Sequence, residues 1–171
     1  MTIKLGRGED LYESLKLRTI ADAPPASSSS TTGSGVVQNK IYVWHATGAP
    51  LEIFEPTETG LGDALTAAAT GDAVWIPSLE IILLAAIAIP SGVAVQGLNQ
   101  HNSILRFTTP NGAMIVMADR AILSNLTVWC NDSANQVTAI DARCALGLVD
   151  AVRVRVGDDA ANIKIYAGHV E

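Results

Sequence analysis

The chain reads as an all-β solenoid, a coil of short strands whose successive turns stack in parallel. Three observations predict it. Three stretches, "IAIPSGVAVQGL" (87–98), "IVMADRAILSNL" (115–126) and "IDARCALGLVDA" (140–151), superpose without gaps. Self-similarity at a period of about 25 residues marks stacked repeats. Ile87, Ile115, Ile140 and Ile165 fall in one column of that superposition, as parallel neighbours about 4.8 Å apart would. The composition, 49% apolar but only 5% aromatic, suits strands that bury Val, Ile, Leu and Ala. No segment between copies is long enough for a crossover helix. A β-sandwich would give no reason for gap-free copies.

The elements follow in chain order. Residues 1–23 contain "GEDLYESLKLRTIADA" (8–23), a short helix with Leu11 and Leu15 four apart and Glu9 and Asp10 near its amino end. One weak apolar stripe does not hold an isolated helix in water. The segment is either an anchor that lies against a partner through Leu11, Leu15 and Ile20, or a disordered tail. Residues 24–35, "PPASSSSTTGSG", form a flexible linker. A lead-in over 36–62 holds two strand-like runs, "IYVWH" (41–45) and "LEIF" (51–54), separated by turn residues. A capping helix is expected over 63–70, with Asp63 as its N-cap and Gly71 at its carboxyl end. "AVWIP" (73–77) is a strand stopped by proline. The coiled region spans 63–171, and a fourth copy begins at Ile165, incomplete at Glu171.

A net charge of −6 argues against a nucleic-acid partner, which requires clustered Lys and Arg. The amino terminus lacks the apolar core of a signal peptide. "LEIILLAAIAIP" (79–90) is too short to cross a bilayer and contains Glu80, so no membrane insertion is expected. Cys130 and Cys144 give neither a disulfide framework nor a metal spacing. No cofactor and no metal site are read from the sequence.

"DALTAAATGDAVWIPSLEIILLAAIAIPSGVAVQGLN" (63–99) resembles the opening of a pectin-lyase-like right-handed parallel β-helix. In that family an Ala-rich helix caps the first coil, a strand ending in Pro follows, and an Ile-Pro-Ser-Gly corner comes next. "ILSNLTVWC" (122–130) is similar to its later coils, where Asn often closes a bend. The resemblance covers about residues 60–171. It implies a single-stranded right-handed parallel β-helix carrying a short N-terminal capping helix behind a tethered helical segment. It leaves function open, because the scaffold carries polysaccharide lyases, glycosidases, bacteriophage tailspikes and adhesins. With a tethered anchor and no export signal, the expectation is a structural, adhesive virion protein. Such a tail fibre or tailspike subunit would be held by other tail or baseplate proteins through residues 1–23. It would form a homotrimer, with an apolar outward face, and present its flank to a cell-surface polysaccharide. The alternatives are a lyase or hydrolase of acidic glycans and a bacterial β-helix surface adhesin.

If there is catalysis, acidic residues carry it. "GDDAANIKIYAGHV" (157–170) resembles the paired aspartates and following histidine of polygalacturonases, through Asp158, Asp159, Lys164 and His169. It departs from them where Val170 replaces Gly and no Arg-x-Lys follows. Asp119-Arg120 are expected above Asp141 and Arg143 on successive coils, where Asp141 is a further catalytic candidate or part of a surface charge ladder. His45 and His101 have no partner at metal spacing. Trp44, Trp75 and Trp129 stack on sugars if exposed and otherwise belong to the core or a subunit contact.

Overall fold

A computed structural model describes residues 39–108, 112–130, 137–156 and 163–167. The anchor and linker readings over 1–35, including Leu11, Leu15 and Ile20, lie outside the described residues. So do Asp158, Asp159 and His169.

The lead-in is a hairpin. Strands β1 (Ile41–Trp44) and β2 (Glu52–Phe54) pair antiparallel, with Tyr42 opposite Ile53. Helix α1 follows at Glu58–Ala67. Then come β3 (Ala73–Ile76), β4 (Glu80–Leu83), β5 (Ile87–Ile89), β6 (Ala94–Gly97), β7 (Ile104–Phe107), β8 (Gly112–Met117), β9 (Ile122–Ser124) and β10 (Thr127–Cys130). The last four are β11 (Val137–Ala142), β12 (Leu148–Asp150), β13 (Arg153–Val156) and β14 (Ile163–Ala167).

From β3 onward each sheet takes every third strand. The first sheet has the order β12-β9-β6-β3-β1-β2, the second β13-β10-β7-β4 and the third β14-β11-β8-β5. All pairs in the second and third sheets are parallel.

This layout corrects the all-β, single-stranded solenoid. The described residues include a ten-residue helix, and the first sheet mixes antiparallel pairs at β1 with parallel pairs beyond β3. The physical reason is the short connection between β1 and β2, which permits only antiparallel return. The chain is a strand-rich α/β protein with parallel sheets, compatible with a β-helix-like fold.

The isoleucine column is real. Ile87, Ile115, Ile140 and Ile165 are successive register partners in the third sheet, and Ile115 and Ile140 are fully buried. Ile81, Leu105 and Val128 form the facing column in the second sheet, and Val74, Val95 and Leu123 a third in the first. Ile87, Ile115 and Ile140 belong with these other two columns to one apolar cluster. Alternation of apolar and polar residues along β4, buried at Ile81 and Leu83 and exposed at Glu80 and Ile82, is what a strand with one buried face requires.

Two sequence assignments shift. The capping helix runs over Glu58–Ala67 rather than 63–70, and its N-cap is Thr57, whose hydroxyl accepts from the Gly60 N–H at 3.1 Å. Asp63 lies inside the helix, and Ala68, not Gly71, ends it. Gly71 instead takes φ +94 in the turn before β3. The superposition is also displaced by one residue after Ala142. Leu123 registers with Val149 rather than Leu148, and Ser124 with Asp150. The turn from β11 to β12 holds one residue more than the turn from β8 to β9, so the copies stay in step along the third sheet and slip in the first.

The turns carry their own bonding between passes. Gly92, Arg120 and Leu146 all have positive φ, and the Gly92 N–H donates to the Asp119 carbonyl as the Arg120 N–H donates to that of Ala145. At the next corner Asn125, with φ 53, donates from Nδ2 to the Gly97 carbonyl at 2.8 Å. That is the bend-closing asparagine expected from the sequence. Asn tolerates this left-handed conformation because its short amide bonds nearby backbone.

Candidate functional site

A groove of about 430 Å³ between α1 and β5 is lined by Leu65, Ala68, Ile87 and Pro90 among others, and its one hydroxyl, on Thr66, donates to the Gly62 carbonyl. Among the described residues no three of His, Cys, Asp and Glu gather as a metal site, and no helix is long and apolar enough to cross a membrane.

Asp141 stands on β11 in register with Val116 and Tyr166. Its two oxygens accept from Arg143, Nε at 2.8 Å and the terminal NH2 group at 2.5 Å. The Arg143 bonds outweigh burial and hold the carboxyl below its ordinary range. Such a carboxylate stays ionised and occupied. The expected stack of Asp119-Arg120 on Asp141 and Arg143 does not form as drawn: Asp119 lies in the turn after β8, where Oδ1 accepts from the Ala145 N–H at 2.9 Å. It is a turn-fixing residue.

Sequence reasoning passed over His45 because no metal ligand lies near it in the chain. The fold brings it between two carboxylates. Nδ1 lies 2.8 Å from Asp72 Oδ2 and Nε2 lies 3.3 Å from Glu52 Oε1. Both His45 and Asp72 are buried. Asp72 also accepts from the backbone N–H groups of Ala46 and Ala69, each at 2.9 Å. Only imidazolium can donate from both ring nitrogens, and the Asp72 bond raises the His45 pKa against its burial. Burial pushes Asp72 upward, but the Ala69 and Ala46 N–H donors with His45 bring it below its ordinary value. Among the described residues no nucleophilic side chain is bonded to the group. It clasps the lead-in hairpin to the segment after α1.

The flank of the second sheet is chemically more distinctive. Ile82, Arg106, Trp129 and Arg155 are register partners across β4, β7, β10 and β13, a row on the face turned away from the apolar cluster. The Arg106 guanidinium carbon lies 4.5 Å from the Trp129 ring centroid and that of Arg155 4.8 Å. Since β7 and β13 flank β10 on opposite sides, the indole is held between two cations. Arg106 bonds Glu80 at 3.0 Å, and its buried Nε has no hydrogen-bond acceptor among the described residues. Arg153 shares this outer face, two residues before Arg155, and both are exposed. Of the alternatives for the tryptophans, Trp75 follows the core reading and is buried, whereas both faces of Trp129 are taken by arginines. The signal was present in "VRVRV" (152–156), whose alternation puts both arginines on one face of a strand. Arg106 gave none, because its neighbour lies 23 residues on.

No protein-family model, curated protein or solved structure matches this chain.

Proposed function

We propose that the chain is a structural and adhesive virion protein, a phage tail fibre or tailspike subunit attached through residues 1–23. In this reading its flank faces a cell-surface glycan, and the working unit is a homotrimer. The observation that carries it is the second-sheet flank, where Ile82, Arg106, Trp129 and Arg155 form one register row across four strands, with Ile82 and Arg155 exposed and Arg106 and Trp129 half-buried. A surface of that form suits an extended ligand lying along it better than a small substrate enclosed by walls. The resemblance of residues 60–171 to pectin-lyase-like proteins of the tailspike type adds to this, as does the Ser-rich composition of residues 24–35. Of the acidic candidates for the enzymatic alternative, Asp141 is paired with Arg143, and Asp158 and Asp159 lie outside the described residues.

Exposed large apolar side chains lie on several elements, among them Ile82 on β4, Val116 on β8 and Ile53 on β2, instead of on a single flank. Trimer contacts would then draw on more than one face. Light scattering on the full chain together with a polysaccharide-binding screen tests the reading. A trimer that binds a glycan without shortening it is the expected result. Release of reducing or unsaturated ends would replace it with the enzymatic alternative, and a monomer that binds no glycan would remove it.

A further inference from the structure

We propose that His45 is a pH-sensitive latch on the edge of the first sheet: as imidazolium it holds the Glu52 end of β2 closed, and as neutral imidazole it lets that end open. Among the described residues β2 is the outermost strand of its sheet and pairs only with β1. Residues 46–53, the turn and the start of β2, are exposed throughout, so little buried apolar area holds them down. Farther along, Phe54 packs against the apolar cluster, and Gly60 approaches the Glu55 carbonyl so closely that a Cβ there would overlap it. The carboxyl end of β2 is therefore pinned and its amino end is not. What reaches across to that amino end is the buried His45 ring, with Nε2 3.3 Å from Glu52 Oε1.

The chemistry of the ring makes this contact conditional. Asp72 faces Nδ1 at 2.8 Å and also accepts from the N–H groups of Ala46 and Ala69. Its pKa is lowered in the folded chain, so it remains an acceptor at neutral and alkaline pH and keeps Nδ1 protonated. The proton that imidazolium loses then comes from Nε2. The lone pair left there faces a carboxylate oxygen, and two acceptors so placed repel each other. Glu52 is half exposed and turns to water instead. The hold of Asp72 on Ala46 does not depend on the charge of the ring, so β1 stays in place while the end of β2 is released. Other ionisable groups on the hairpin do not compete. Burial pushes the Tyr42 pKa above its ordinary value, leaving it neutral, and Lys40 is paired with Glu55 at the far end of the hairpin. The Asp72 bond raises the His45 pKa, so the latch is closed below the ordinary histidine value near 6.5 and opens as pH climbs through the folded one.

Amide exchange of the full chain tests the latch, with each rate divided by that of the same residue in an unstructured peptide so that catalysis by hydroxide cancels. Between pH 6 and 9 the protection of the β2 amides that bond β1 should fall about tenfold, the worth of one hydrogen bond to a charged group. Protection at β7 should hold steady over the same range. Glu52→Gln separates the latch from a general loosening. Its amide accepts from imidazolium and donates to neutral Nε2, so protection of β2 should stay level from pH 6 to 9. The substitution lies at an exposed position, and the fold does not depend on it. His45→Gln, with nothing to titrate, should show no step either. Wild-type protection independent of pH would overturn the proposal. So would a fall in Glu52→Gln as large as in wild type, or an equal fall at β7 and β2, which would mean that the whole body loosens rather than one strand end.

Discussion

Single residues set where the passes of the chain can touch. A Cβ built on Gly97 would overlap the Asn125 carbonyl oxygen and lie 2.8 Å from the Cβ atoms of Leu126 and Ser103. Backbone and buried side chain cannot both retreat, so Gly97→Ala should destabilise the protein by about 1–3 kcal/mol, the usual range for overpacking. Gly62 has nothing within 4 Å of the same virtual atom and lies inside α1. Gly62→Ala should therefore stabilise by roughly 0.5–1 kcal/mol through helix propensity. Urea unfolding of both variants separates close approach from mere flexibility, and a shift of the same sign in both would contradict the argument. His45 adds a dependence on pH. Its pKa is raised in the folded chain, so its stabilising contribution is whole below the unfolded value near 6.5 and fades as pH climbs through the folded one. Asp72, lowered on folding, acts in the other sense: its contribution is present above the unfolded carboxylate value and is lost as pH falls through the folded one. Between those limits both contribute. The melting-temperature difference between wild type and His45→Gln should accordingly shrink as pH rises from 6 toward 9. A difference constant over that range would remove the clasp as a titrating unit.

At the scale of elements, the strands were legible where apolar residues alternate and the helix boundary was not. Thr57 starts α1 because its own backbone is extended, at φ −125 and ψ 168, while its hydroxyl accepts from the Gly60 N–H. Asp63 attracted attention because Asp is also a good cap, yet the turn ahead of it already has helical hydrogen bonds. Thr57→Ala should destabilise by about 1 kcal/mol, and Asp63→Ala by no more than a few tenths if at all, as thermal melts can show. Likewise the isoleucine column could be read directly, since four identical residues at repeat spacing leave little choice of register. The corner at 143–147 could not, because adding one residue to a turn changes no strand's alternation. The Arg106–Trp129–Arg155 row was half visible for a similar reason. Alternation within "VRVRV" reveals a face, but which residues stand beside it depends on the register of strands over 20 residues away.

For the molecule as a whole, the interior columns make each pass of the chain depend mainly on the pass before and after it. Ile115 is fully buried with Ile87 on one side and Ile140 on the other, and Ile115→Ala leaves a cavity worth about 2–5 kcal/mol of stability. In a stacked-repeat layout the loss should spread to nearest neighbours rather than evenly. Hydrogen exchange read strand by strand in the Ile115→Ala chain should lose most protection at β8, less at β5 and β11, and least at β1 and β2. Those last two belong to the antiparallel hairpin and hold their own clasp through His45 and Asp72. Val116→Ala is the matched control, one residue along the same strand but with its side chain 41% exposed, and it should leave the profile almost unchanged. Uniform loss of protection, reaching β1 as strongly as β8, would mean that the body unfolds as one block and that neighbour-to-neighbour stacking does not describe its energetics.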